Sequence, residues 1–141
     1  GDTADKALVS KLLRDHQVDT VIHFAAHTIV PESVADPLKY YRNNTCATRN
    51  LLECCVEAGV RHFVFSSTAA VYGTPPEGKA SEATATRPIN PYGSSKLMTE
   101  WMLRDLGSHA TRGSESGSTR SPAVSPPRDS FRVKNFPSIT F

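Results

Sequence analysis

Two short apolar runs, "DTVIHFAA" (19–26) and "VRHFVFSS" (60–67), stand on either side of a long helical pattern. Each is rich in β-branched or aromatic residues and too short for a helix, so each reads as a buried strand, the first from Thr20 to Phe24. Strands joined by a helix-length crossover pair in parallel, because a parallel neighbour cannot be reached by a tight turn. "TADKALVSKLLRDHQ" precedes the first strand. Its Leu8, Val9, Leu12 and Leu13 form a helical stripe, and Thr3 is the expected N-cap. "HTIVPESVADP" reads as a loop broken by its prolines. The crossover, "PLKYYRNNTCATRNLLECCVEAG", has Asp36 to cap it, Pro37 in its first turn and Gly59 to close it. A Pro-, Gly- and Thr-rich loop follows the second strand. "NPYGSSKLMTEWMLRDLG" is then a third helix, starting at Asn90 or Pro91 and ending at Gly107. The order predicts an α/β fold with a parallel sheet covered on both faces. Two strands are too few for a stable sheet, so further strands are expected ahead of Gly1.

Charge narrows the partners. Sixteen basic against fourteen acidic residues leave +2 at neutral pH, which argues for no nucleic acid. No apolar run is long enough to cross a bilayer, so no membrane is expected. Cys46, Cys54 and Cys55 have neither disulfide nor metal spacing, and reduced thiols in the cytoplasm are the expectation. Beyond about Ala110 the sequence turns to Ser, Pro and Arg with no helical stripe, and disorder is expected.

Parallel α/β sheets bind ligands at the carboxyl ends of their strands. "HFAAH" leaves the first strand through Ala25 and Ala26, small enough for a flat ligand to approach the backbone. "FSSTAAVYG" leaves the second through Ser66, Ser67 and Thr68, three consecutive hydroxyls that are equally at home in an ordinary loop. Tyr92 and Lys96 are four apart and share one face of the third helix. A phenol is a poor base at neutral pH, and a neighbouring ammonium favours its phenolate. Together these groups suit carbinol oxidation. Thr68 would hold a substrate hydroxyl, Tyr92 would take its proton, and Lys96 would support the tyrosine and grip a ribose. Hydride would pass to a nicotinamide above the "FAA" strand end.

At these residues the sequence resembles the extended short-chain dehydrogenase/reductase family and, within it, the UDP-glucose 4-epimerases. The matching stretches are "GDTAD", "DTVIHFAAHTIVPESVADPLKYYRNN", "NLLECCVEAGVRHFVFSSTAAVYG" and "NPYGSSKLMTEWMLRDL". The resemblance implies a partial Rossmann-like, doubly wound parallel sheet over residues 1–107, lacking its first strands and the C-terminal substrate domain. It implies tightly bound NAD and a UDP-sugar substrate. Asp2 and Thr3 match the segment beside the adenine. Phe24, Ala25, Ala26, His27 and Thr28 match the strip beside the cofactor, where relatives often carry Gly at Ala26 and Lys at Thr28. Asn43, with Asn44, matches an asparagine near the cofactor, and Ser66 the strand end that faces it. Thr68 matches the group that binds the sugar hydroxyl, Tyr92 the base and Lys96 its partner.

The implied reaction is inversion at C4 of a UDP-hexose through a 4-keto intermediate, in a homodimer built on helices 37–58 and 92–106. Two alternatives stand beside it. One is a sister enzyme, a 4,6-dehydratase or a UDP-glucuronate-type epimerase or decarboxylase. Dehydratases carry acids after the threonine, where this chain has Ala69 and Ala70. The other is a non-catalytic truncated product. The family's glycine-rich phosphate loop would precede Gly1, so these 141 residues alone are expected to be inactive. The family pattern stops near Ser108, and 108–141 is expected to be an aberrant tail from a shifted reading frame.

Overall fold

A computed structural model describes residues 1–75 and 78–112, with side chains as far as Gly107. Helix α1 (Lys6–Asp15) is capped by Asp5, whose Oδ1 accepts from the Leu8 N–H at 3.0 Å. Thr3, the expected cap, lies outside the helix. Asp2 closes a turn over Thr3 by accepting from the Ala4 and Asp5 N–H groups at 2.9 and 3.0 Å, which moves the helix start past it. Val9 and Leu13, four apart, are the inward positions; Leu12 lies on the flank.

Strands β1 (Thr20–His23) and β2 (His62–Phe65) pair in parallel, Thr20 opposite His62 and His23 opposite Phe65. Alternation points Phe63 and Phe65 at the helices, where each is 1% exposed. They join Val9, Leu13, Leu51, Leu52, Cys54, Cys55, Val60 and Leu103 in one core. Each buried phenylalanine contributes roughly 2–3 kcal/mol of apolar transfer. Cys54 and Cys55 are thus core residues and Cys46 is exposed; none of the three is in a disulfide. Among the described residues no helix is long and apolar enough to cross a membrane.

The segment read as a loop after β1 contains a short helix, α2 (Val30–Ala35), with proline in its first turn. Its cause is tertiary. Buried Tyr40 extends its hydroxyl to the Ile29 backbone, accepting from the N–H at 2.9 Å and lying 2.7 Å from the carbonyl. That contact fixes the chain just ahead of Val30, a constraint local periodicity does not carry.

The crossover is one continuous rod. It runs as α3 (Pro37–Tyr40), a π-helical stretch (Tyr41–Cys46) and α4 (Ala47–Ala58). Asp36 caps it and Gly59 ends it at φ 72°, both as expected. In the π stretch the Ala47 N–H reaches back five residues to the Arg42 carbonyl. Helix α5 (Pro91–Arg112) starts where expected, with Asn90 Oδ1 accepting from the Gly93 N–H at 2.8 Å. It does not stop at Gly107. Gly59 adopts the left-handed conformation that ends a helix, whereas Gly107 keeps a negative φ and the backbone runs on to Arg112. The tail expected to be disordered lies, from residue 113 onward, outside the described residues.

Candidate functional site

Apart from Asp2 and Thr3, the residues singled out by sequence gather where β1 and β2 end. The Ser66 N–H donates to the His23 carbonyl at 3.1 Å, so the two strand exits leave side by side. After β1, Phe24 is 62% exposed, Ala25 and Thr28 are open, and Ala26 and His27 are half-buried. No large side chain stands on Ala25 or Ala26, and a planar group can reach the backbone there.

Asn44 fastens this strip. It is buried; its Oδ1 accepts from the His27 N–H at 2.8 Å and its Nδ2 donates to the His27 carbonyl at 2.9 Å. The same Nδ2 lies 3.1 Å from Ser95 Oγ on α5, and Ser95 Oγ donates to the Tyr92 carbonyl at 2.7 Å. Asn43 donates to Asn44 Oδ1 at 3.0 Å. One amide therefore ties the β1 exit to the turn of α5 that bears Tyr92.

Lys96 is 4% exposed. Its ammonium donates to the Ser66 carbonyl at 2.9 Å and sits 4.8 Å from the centre of the Phe65 ring. Burial lowers its pKa from the usual 10.5 to about 8. The single carbonyl bond leaves two ammonium N–H donors for a ligand. Tyr92 is half-buried, with its ring meeting that of Tyr40 edge-on at a centroid distance of 6.4 Å. Among the described residues Tyr92 Oη bonds to neither Lys96 nor Thr68. Thr68 caps the 3-10 turn Ala69–Tyr72, its Oγ1 accepting from the Ala70 N–H at 3.2 Å. Asp2 and Thr3 stand apart from this cluster, in the turn before α1.

Three further residues complete the site. Buried His23 places Nε2 2.8 Å from Thr48 Oγ1, and Thr48 gives its one proton to the Asn44 carbonyl at 2.6 Å. His23 must then donate, which makes it the Nε2–H tautomer. Burial first, and the Lys96 charge second, lower its pKa from 6.5 to about 4. It is a neutral, satisfied strut. Gly93 permits the closest approach of α5 to the 3-10 turn, because a Cβ there would lie 2.6 Å from the Ala70 carbonyl oxygen. Glu100, half-buried one turn past Lys96, accepts a hydrogen bond from Ser67 Oγ. An acid four residues beyond the lysine was the available signal.

A family model described as GDP-mannose 4,6 dehydratase matches residues 1–122. The UDP-glucose 4-epimerase of Azospirillum brasilense is 56% identical over 107 residues, covering 76% of this chain and 31% of that protein. The UDP-glucose 4-epimerase of Bifidobacterium longum, solved with NAD+ and UDP, superposes with a TM-score of 0.74 at 44% identity, over 77% of this chain and 33% of that one. A dTDP-glucose 4,6-dehydratase from Streptomyces venezuelae, solved with NAD and TYD, gives 0.72 at 36% identity, over 80% and 34%. The chain spans about a third of the length of the curated relatives it matches. With a parallel α/β core of this Rossmann-like kind and a model match over most of its length, the chain belongs to the GDP-mannose 4,6 dehydratase family.

Proposed function

We propose that this segment carries the catalytic base and part of the cofactor cleft of an NAD-dependent epimerase acting at C4 of a UDP-hexose. The observation that carries the reading is the 3-10 turn after Thr68. Expelling a C6 hydroxyl requires an acid and a base beside the reacting sugar. Here Thr68 is followed by Ala69 and Ala70, and the Ala70 carbonyl is packed against Gly93. Those positions can protonate nothing, which favours epimerisation over dehydration. Six relatives at 44–56% identity, each named a UDP-glucose 4-epimerase, support the same choice.

The residues present fit a dinucleotide. The open Ala25–Ala26 backbone suits a flat ring, and the buried ammonium of Lys96 has donors to spare for a ribose. NAD, when bound, supplies the site that takes up and returns hydride. Phe24, Ala25, Ala26, His27 and Thr28 would border it, with Ser66 at the second strand end. Asn44, helped by Asn43, would hold the strip in place, and Asp2 and Thr3 would meet the adenine. Thr68 orients the sugar 4-hydroxyl and Tyr92 takes its proton. Lys96 stabilises the negative charge on Tyr92, and the proton returns from Tyr92 as the carbinol re-forms.

A groove between α4 and α5, lined by Leu52, Val56, Met102 and Leu106 and rimmed by Arg49 and Glu53, suits the pairing of two copies of the full-length enzyme. A cytoplasmic enzyme is the matching location. The 141 residues contain no glycine-rich phosphate loop, so by themselves they should bind NAD weakly and turn over nothing.

The test uses the complete gene product that contains this segment. Supplied with UDP-galactose and NAD, it should form UDP-glucose, and Tyr92→Phe should remove that activity. A 4-keto-6-deoxy sugar as product would instead establish dehydration.

A further inference from the structure

Glu100 is a half-buried carboxylate. Among the described residues its hydrogen-bond partner is Ser67 Oγ, and it takes part in none of the ion pairs. Loss of hydration raises its pKa, and the Ser67 hydrogen bond opposes that rise. Its charge raises the pKa of the Tyr72 phenol as well, second to burial. A carboxylate that only decorated a helix would sit in water, where it costs nothing.

Its position explains the arrangement. Lys96 and Glu100 are one turn apart on α5 and grip consecutive residues of the β2 exit, Lys96 the Ser66 carbonyl and Glu100 the Ser67 hydroxyl. The Ser66 N–H bonds the His23 carbonyl and the Ser66 carbonyl bonds Lys96, so Ser66 is held on both sides, and the Glu100 contact extends that hold to the next residue. Thr68 follows immediately, in extended conformation at φ −151°.

We propose that Glu100 is a positioning residue: by holding Ser67 it fixes the rotation of residues 66–68, and with it the seat of the Ser66 carbonyl on the Lys96 ammonium and the place of the Thr68 hydroxyl. This rests on the roles proposed for Thr68, Tyr92 and Lys96, and it extends the machinery by one pair, Glu100 and Ser67. Burial lowers the pKa of Lys96. Loosening the exit acts by letting water reach the ammonium.

The experiment reads Lys96 itself in the complete gene product that contains this segment, by competitive acetylation across the neutral to alkaline range with peptide mapping. Circular dichroism confirms that each variant is folded. The parent midpoint should fall near 8. Ser67→Ala and Glu100→Ala should each raise it by about one unit, which lowers labelling roughly tenfold at a fixed pH below the parent midpoint, and the double variant should go no further than either. Glu100→Gln, whose amide oxygen still accepts from Ser67, should keep the parent midpoint. Unmoved midpoints in both alanine variants would overturn the proposal, as would Glu100→Gln behaving like Glu100→Ala. If Glu100→Ala fails to fold, Ser67→Ala against Glu100→Gln decides alone. These readings are independent of turnover, so the clamp can fail while Tyr92 remains the base. The Tyr92 assignment falls separately, if Tyr92→Phe leaves the complete gene product active.

Discussion

Asn44 holds the His27 peptide by both its N–H and its carbonyl, at 2.8 and 2.9 Å. The paired hydrogen bonds and the contact to Ser95 make this side chain the joint between the β1 exit and α5. Asn44→Asp keeps the acceptor, loses the donors and buries a charge. It should cost about 2–4 kcal/mol in urea unfolding, with Asn44→Leu in the same range. A loss below 0.5 kcal/mol, roughly that of a surface change, would show that the joint is not structural.

His23 predicts an acid limb in the stability curve. An unfolded histidine takes up its proton below about 6.5, whereas buried His23 resists until about 4. The unfolded chain therefore binds more protons between those values, and stability falls as pH drops through that window. The span is about 2.5 units, or roughly 3 kcal/mol, with no further loss from this group below 4. Urea titrations at stepped pH should show this slope in the parent and a flatter one in His23→Gln.

Lys96 predicts a second limb of the same sign in the alkaline range. Its folded pKa, about 8, lies below the usual 10.5, so from 8 to 10.5 the folded chain has lost a proton that the unfolded chain still holds. Stability should rise with pH across that interval. By the same reasoning Lys96→Met should gain about 1–2 kcal/mol near neutral pH, since removing the buried charge outweighs the lost bond to the Ser66 carbonyl. A gain in stability with loss of turnover in the complete gene product would mark Lys96 as retained for chemistry. A less stable Lys96→Met would mean that the ammonium stabilises the fold.

Gly93→Ala tests the approach of α5 to the strand exit. The new methyl would meet the Ala70 carbonyl oxygen at 2.6 Å and Pro88 Cβ at 3.0 Å, both on chain segments that must shift bodily. Alanine favours a helix interior by roughly 1 kcal/mol over glycine, yet the clash should leave the variant about 1–3 kcal/mol less stable. A more stable variant in a thermal melt would disprove the contact.

The strands, the Asp36 and Gly59 caps and the starting point of α5 were legible because each depends on neighbours in sequence. Alternation, a capping side chain and a left-handed glycine are local signals. What was not legible depends on distant partners. Helix α2 forms because Tyr40 reaches back to Ile29, and the N-cap of α1 moved to Asp5 because Asp2 closes its own turn. Gly107 looked like Gly59 in composition, but nothing turns the chain there. The lysine of the Tyr-x-x-x-Lys pattern was found. The strand exit that it grips, and the acid gripping the next residue, depend on how α5 lies against β2, which no spacing encodes.

The π-helical stretch sets a limit on how this fold can vary. Each residue turns an α-helix by about 100°, so deleting one residue between Tyr41 and Cys46 would rotate Asn44 or Thr48 away from the β1 exit while Tyr40 stayed in place. The crossover therefore behaves as a phased shaft whose length is locked to the residue. Drift in length within this lineage should collect instead in the exposed 78–87 connection, where no such phase is kept.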